Sequence, residues 1–129
     1  MIKKYKISVP KSTLNSIYKK VRNYPWSVTQ KMNGWEYGTN LNYLKSISKY
    51  WITKYNWKKF ENKINSFKNY KTKVEDINLH FIFEKSKNPK SKPLLLLHGW
   101  PGSISEFLDI IPRIAHPEKF GGKIEDGFD

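Results

Sequence analysis

The chain has 129 residues, and its 24 Lys and Arg against 11 Asp and Glu give a net charge of +13. A 38% hydrophobic and 16% aromatic content is too apolar for a disordered polybasic tail, and the absence of Cys excludes disulfide scaffolds and Cys-based zinc sites. No run approaches the ~18 apolar residues that span a bilayer, and no apolar h-region follows the N-terminal lysines, so a soluble cytoplasmic chain is expected. The charge is uneven: residues 1–92 hold 21 basic and 5 acidic side chains, whereas residues 93–129 hold 3 and 6. That shift marks a boundary between structural units.

In chain order, Tyr5 to Pro10 alternates and stops at proline, predicting a short edge strand. Leu14, Ile17, Tyr18 and Val21 recur at helical spacing. Asn23 to Gly38 breaks that period and reads as a loop. Thr39 is the expected N-cap of a second helix, with a core stripe of Leu41, Leu44, Ile47 or Ser48, and Trp51. Asn56 precedes a third, carrying Trp57, Phe60, Ile64 and Phe67. The period then changes to two. Tyr70–Glu75 is expected to pair with a strand whose buried face is Ile77, Leu79, Phe81 and Phe83. After a polar turn region from Lys85 to Lys92, Pro93-Leu94-Leu95-Leu96-Leu97 reads as a parallel strand covered on both sides. Ser103 caps a following helix with Glu106 at the third position, as in a capping box, and Phe107, Leu108, Ile110 and Ile111 on its apolar side. Pro112 and Pro117 limit it.

The run Pro93 to Phe107, Pro-Leu-Leu-Leu-Leu-His-Gly-Trp-Pro-Gly-Ser-Ile-Ser-Glu-Phe, resembles the oxyanion-loop region of epoxide hydrolases of the α/β-hydrolase fold, the microsomal and juvenile-hormone type above all. Tyr50-Trp51, Tyr55-Asn56-Trp57, Glu61 and Asn65-Ser66-Phe67 resemble that family's helical N-terminal domain, and Ile77 to Ser86 the strand that leads into its hydrolase core. The resemblance implies an α/β class: a helical N-terminal domain over residues 1–69, followed over 70–129 by the first strands of an incomplete α/β-hydrolase sheet. It also implies a site role for the Trp100 backbone N–H as an oxyanion donor, with His98, Gly99, Pro101 and Gly102 shaping the loop and a cis Trp100–Pro101 bond. Gly99 and Gly102 suit tight turns, and one such donor is worth about 3–4 kcal/mol in a transition state.

The family's Asp nucleophile, lid tyrosines and His/acid pair lie downstream of a strand that would begin near Phe128-Asp129. No Gly-x-Asp-x-Gly elbow occurs in these residues. The resemblance therefore implies a truncated chain, inactive alone, whose partners are the catalytic remainder of such an enzyme and, in the complete enzyme, a small-molecule epoxide. No cofactor or metal is implied, and self-association through unpaired apolar edges is expected.

Other signals have plainer readings. His98 is a loop histidine rather than a base, and Ser103 a cap rather than a nucleophile. His80 and His116 lack the spacing of a metal site. Glu75-Asp76 and Glu125-Asp126 are solvated turn ends. Trp35, Tyr37, Tyr50, Trp51, Tyr55 and Trp57 interleave with Lys45, Lys49, Lys54, Lys58 and Lys59, which would suit a nucleic acid. Helical spacing favours core for the aromatics, however, and two Arg against 22 Lys disfavour specific phosphate readout. A basic interaction module for a protein or nucleic acid is the alternative.

Overall fold

A computed structural model describes residues 1–26 and 34–129. The element order is β1 (Lys3–Lys4), α1 (Lys11–Arg22), α2 (Leu41–Thr53), α3 (Trp57–Asn65), β2 (Asn69–Val74), β3 (Ile77–Ile82) and α4 (Ile111–Ala115). Short 3-10 turns occupy Ile104–Phe107, Pro117–Phe120 and Ile124–Asp126. Two compact units result: Ser8–Lys58, and Met1–Ile7 with Lys59–Asp129. These limits follow compactness and run differently from the sequence boundary at residue 69.

In the Ser8–Lys58 unit, α1 turns Leu14, Ile17, Tyr18 and Val21 to its half-buried side, as its periodicity predicts. Helix α2 differs from expectation twice. Its N-cap is Asn40 rather than Thr39; the Asn40 side chain accepts from the Tyr43 N–H at 3.1 Å. Its half-buried positions are Leu41, Ser48 and Ile52, whereas Leu44, Ile47 and Trp51 are exposed. A helix covered along a narrow line hides only that line, and the rest of the apolar stripe stays open. The predicted loop from Asn23 to Gly38 is non-helical where described, apart from a 3-10 position at Trp26, and its residues 27–33 lie outside the described residues.

In the other unit the sheet is antiparallel, ordered β1-β2-β3, with Asn69 opposite Ile82 and Val74 opposite Ile77. Glu75 and Asp76 form the two-residue turn, exposed as expected, with Glu75 at φ 53°. The edge strand is earlier and shorter than Tyr5–Pro10. After the Tyr5 N–H bonds the Asn69 carbonyl at 2.9 Å, the Asn65 side chain takes both Ile7 backbone groups, at 2.9 and 2.7 Å, in place of a ladder. Asn69 is a buried polar anchor. Its amide donates to the Ile64 and Phe67 carbonyls, each at 2.8 Å, and its oxygen lies 2.9 Å from His80 Nε2. On α3, Ile64 is buried and Trp57 and Phe60 half-buried, as their spacing predicts; Glu61 is buried beside them.

The expected buried face of β3 is only partly covered: Phe81 is half-buried, whereas Ile77 is 70% exposed and Leu79 and Phe83 are exposed. A sheet face is hidden only where another layer covers it. Pro93–Leu97 is not a strand: a strand is made by hydrogen-bonded neighbours, and Leu95–Leu97 form no backbone hydrogen bond among the described residues. The helix expected after Ser103 is broken. A 3-10 turn covers Ile104–Phe107, and α4 begins at Ile111 with Pro112 in its first turn, a position where proline's missing N–H costs nothing.

Residues 124–129, which show no sequence periodicity, are tied down by polar groups. The Asp129 carboxylate accepts from the Ser86 N–H at 2.9 Å and the Ser91 hydroxyl at 2.8 Å. Asn88 donates to the Glu125 and Gly127 carbonyls. The Ser91 hydroxyl first, and then the Ser86 N–H, hold the Asp129 carboxyl below its ordinary range. A depressed folded pKa stabilises above the unfolded value and is lost as pH falls through the folded one. The Ser86 amide resonance is therefore expected to titrate below the usual carboxylate range and to stop titrating in Asp129→Asn. A titration at the ordinary Asp value would refute this latch.

Candidate functional site

The loop His98–Ser103 leaves the leucine run and is closed at its base by the Gly102 N–H bonded to the Gly99 carbonyl at 2.7 Å. The Trp100–Pro101 peptide is cis. The Trp100 side chain is 96% exposed, and its backbone N–H bonds no acceptor among the described residues. The two glycines differ. Gly99 has open space where a Cβ would stand, so no close approach among the described residues demands glycine there. At Gly102 a Cβ would lie 2.8 Å from the Gly99 carbonyl and would collide with the Glu106 carboxylate. Only Gly102 bears out the tight-turn argument.

Ser103 caps the following turn as the sequence predicts. Its hydroxyl accepts from the Ser105 N–H at 3.3 Å, while Glu106 accepts from the Ser103 N–H at 3.2 Å. With that hydroxyl also 2.7 Å from the Ser105 hydroxyl, Ser103 has its partners in the cap. His98 is exposed, its Nδ1 3.2 Å from the Gly99 carbonyl. His80 is remote in role: it is half-buried on the sheet, edge-on to Tyr5 at 5.6 Å, and burial first, then nearby Lys71, lowers its pKa. His116 lies 3.9 Å from Glu118.

Beside the loop is an apolar cavity of about 560 Å³, lined by β3 from Leu79 to Ile82, by Pro93–His98, and by Ile104, Phe107 and Ile114, with Phe128 and Asp129 also on its wall. Periodicity could not reveal it, because it joins segments up to fifty residues apart. In the helical unit the interleaved aromatics are not core: Trp35, Tyr37, Tyr50 and Trp51 are exposed, and Trp57 alone of that helical series is half-buried.

Residues 2–107 match the family model described as epoxide hydrolase N terminus. The chain belongs to the epoxide hydrolase family. It is 35% identical over 126 residues to epoxide hydrolase 1 of Oryctolagus cuniculus, matching 93% of this chain and 27% of that protein. Among solved structures, the epoxide hydrolase of Aspergillus niger superposes with a TM-score of 0.80 at 25% identity, over 97% of this chain and 32% of that one. The juvenile hormone epoxide hydrolase of Bombyx mori gives 0.77 at 32% identity, over 88% and 28%. The chain thus spans less than a third of these epoxide hydrolases, corresponding to the N-terminal part of their α/β-hydrolase fold. No helix among the described residues is long and apolar enough to cross a membrane.

Proposed function

We propose that this chain supplies the oxyanion loop of an epoxide hydrolase, with the Trp100 backbone N–H as one donor. The supporting observation is a backbone N–H that bonds no acceptor among the described residues, on a loop closed by the Gly102–Gly99 bond, beside an apolar cavity. Epoxide opening by a carboxylate gives an alkyl-enzyme ester. Water attack on that ester places negative charge on its former carbonyl oxygen, and a fixed N–H stabilises that charge more than the ground state. His98, Gly99, Pro101 and Gly102 shape the loop and take no proton. The ester carboxylate, the epoxide-binding tyrosines and the water-activating His/acid pair come from residues outside these 129, so the small-molecule epoxide is a substrate of the complete assembly.

The purified 129-residue chain is accordingly expected to show no diol formation from styrene oxide. Adding a polypeptide equivalent to the remaining two-thirds of a relative should restore turnover. Turnover by the isolated chain would refute the division of labour, and no turnover from a folded mixture would refute the loop assignment. A basic interaction module is the second reading, favoured by the exposed Trp35, Tyr37 and Tyr50 among lysines. It requires nucleic-acid affinity that falls steeply with salt.

A further inference from the structure

His80 ends a row of basic side chains that crosses all three strands. Lys3 of β1 is opposite Lys71 of β2, and Lys71 is opposite His80 of β3. Residues directly opposite one another in a ladder share a face, so the three side chains leave the sheet on the same side. Tyr5, two positions beyond Lys3, belongs to that face as well. Its ring is 5.6 Å from the His80 ring, and the Lys71 Nζ lies 3.7 Å from its centroid. Asn69 fixes the state of the imidazole. The Asn69 amide nitrogen donates to the Ile64 and Phe67 carbonyls, so its oxygen is the atom that faces His80 Nε2. A carboxamide oxygen only accepts, and Nε2 therefore carries the proton of the neutral ring. A second proton goes to Nδ1, which has no hydrogen-bond partner among the described residues. No carboxylate pairs with the ring either: Asp76 is 3.4 Å from Lys73, Glu84 accepts from the Lys68 N–H at 2.9 Å, and Glu61 is buried on α3.

We propose that His80 is a proton-sensitive fastener of the N-terminal edge of the sheet. Neutral, it packs against Tyr5 and keeps residues 3–5 in place; protonated at Nδ1, it adds a third cation to the row of Lys3 and Lys71, and residues 3–5 detach. Like charges directly opposite one another destabilise a ladder, and the shortest strand yields first. That strand is β1, with two residues against six in each of β2 and β3. Beyond it the edge is held by the Tyr5 N–H on the Asn69 carbonyl at 2.9 Å, until Asn65 clamps Ile7. Burial first, and then Lys71, holds the His80 pKa below its ordinary value. A depressed histidine contributes stability that is complete above the unfolded value of about 6.5 and is lost as pH falls from there toward the folded one. Detachment thus belongs to the acid side. It does not depend on the Trp100 loop and is tested without turnover.

Amide exchange at Tyr5, corrected for its intrinsic rate, reads the edge, while the His80 ring resonances read the proton in the same samples of the chain. Ring nitrogen shifts should first show Nε2 as the protonated nitrogen of the neutral ring; the opposite tautomer would remove the premise. As pH is lowered from about 7.5 through the ring's own titration, Tyr5 protection should fall about threefold or more, the scale of one like-charged cross-strand pair. Protection of the Ile7 amide, held by Asn65, and of the Phe83 amide, held by the Lys68 carbonyl, should not change. In His80→Gln, whose amide can still donate to Asn69, Tyr5 protection should be independent of pH. In Lys71→Gln, which folds or fails independently of the first variant, the fall should shrink because the row loses its middle charge. A fall that persists in His80→Gln, or is undiminished in Lys71→Gln, would overturn the proposal. So would a parent chain whose Tyr5 protection holds steady or rises as the ring titrates, or a ring that stays neutral until the whole chain unfolds.

Discussion

Alanine at position 102 is expected to lower kcat of an epoxide hydrolase assembled around this loop by about 10²–10³, the loss typical of removing one oxyanion donor. The cause is steric. The new Cβ would stand 2.8 Å from the Gly99 carbonyl, closer than a carbon and a carbonyl oxygen pack, and would displace the Glu106 carboxylate from the Ser103 N–H. Glu106 is the end of a flexible side chain and can swing away. The Gly99 carbonyl is backbone and cannot yield without moving the loop. Because that carbonyl also accepts the Gly102 N–H, the bond that closes the loop opens and Trp100 moves with it. Gly99→Ala is the matched control within this chain: its Cβ meets open space among the described residues, so the Ser103 and Ser105 amide shifts should stay at the parent values. Steady-state kinetics of Gly102→Ala and the amide shifts of both variants decide the matter. Equal, small effects at 99 and 102 would remove the loop geometry from the account of catalysis.

That contrast between two glycines in one motif shows where the sequence is informative. The run of leucines ending in His98-Gly99-Trp100-Pro101-Gly102-Ser103 identifies the loop, because its chemistry is local: a turn, a proline and a cap within six residues. The stripes of α1 and α3 are legible for the same reason. Periodicity fails where burial depends on a second layer. Leu79 and Phe83 alternate as a covered strand face should, and Leu44, Ile47 and Trp51 recur as a core stripe should, yet all five are exposed within this chain. The pattern records a need for cover, and cover is a property of other segments. Interactions across long sequence distance are illegible from the other direction. Ser86, Ser91 and Asp129 look like ordinary turn residues, and only folding brings them within 3 Å across roughly forty positions.

Truncating Leu108 to alanine is expected to be the most damaging single change to the stability of the sheet-bearing unit. Leu108 is 2% exposed and is the one large side chain among the described residues that is fully buried; Ile64 and Ala115 are the other buried apolar residues. Removing a buried leucine side chain costs about 2–5 kcal/mol, from the lost transfer energy and the cavity left behind. Against a typical domain stability of about 5–15 kcal/mol, that loss is large, and a core with so few enclosed residues has little else to compensate. Leu97→Ala provides the internal comparison, since Leu97 is 78% exposed and its truncation should change stability by no more than about 0.5 kcal/mol. Urea titrations followed by circular dichroism should show a clear fall in midpoint for Leu108→Ala and none for Leu97→Ala. If the Leu97 variant proved as unstable as the Leu108 variant, the leucine run would have to be covered in solution. The consequence for function follows from chain order. Leu108 immediately follows the 3-10 turn that Ser103 caps, so the His98–Ser103 loop is anchored on its C-terminal side by the most buried large side chain among the described residues. On its N-terminal side it continues into Leu95 and Leu97, which are exposed and whose backbone forms no hydrogen bond among the described residues. A loop held firmly at one end and loosely at the other takes its position from the firm end, so loss of Leu108 packing is expected to reach the Trp100 N–H as well as the global stability.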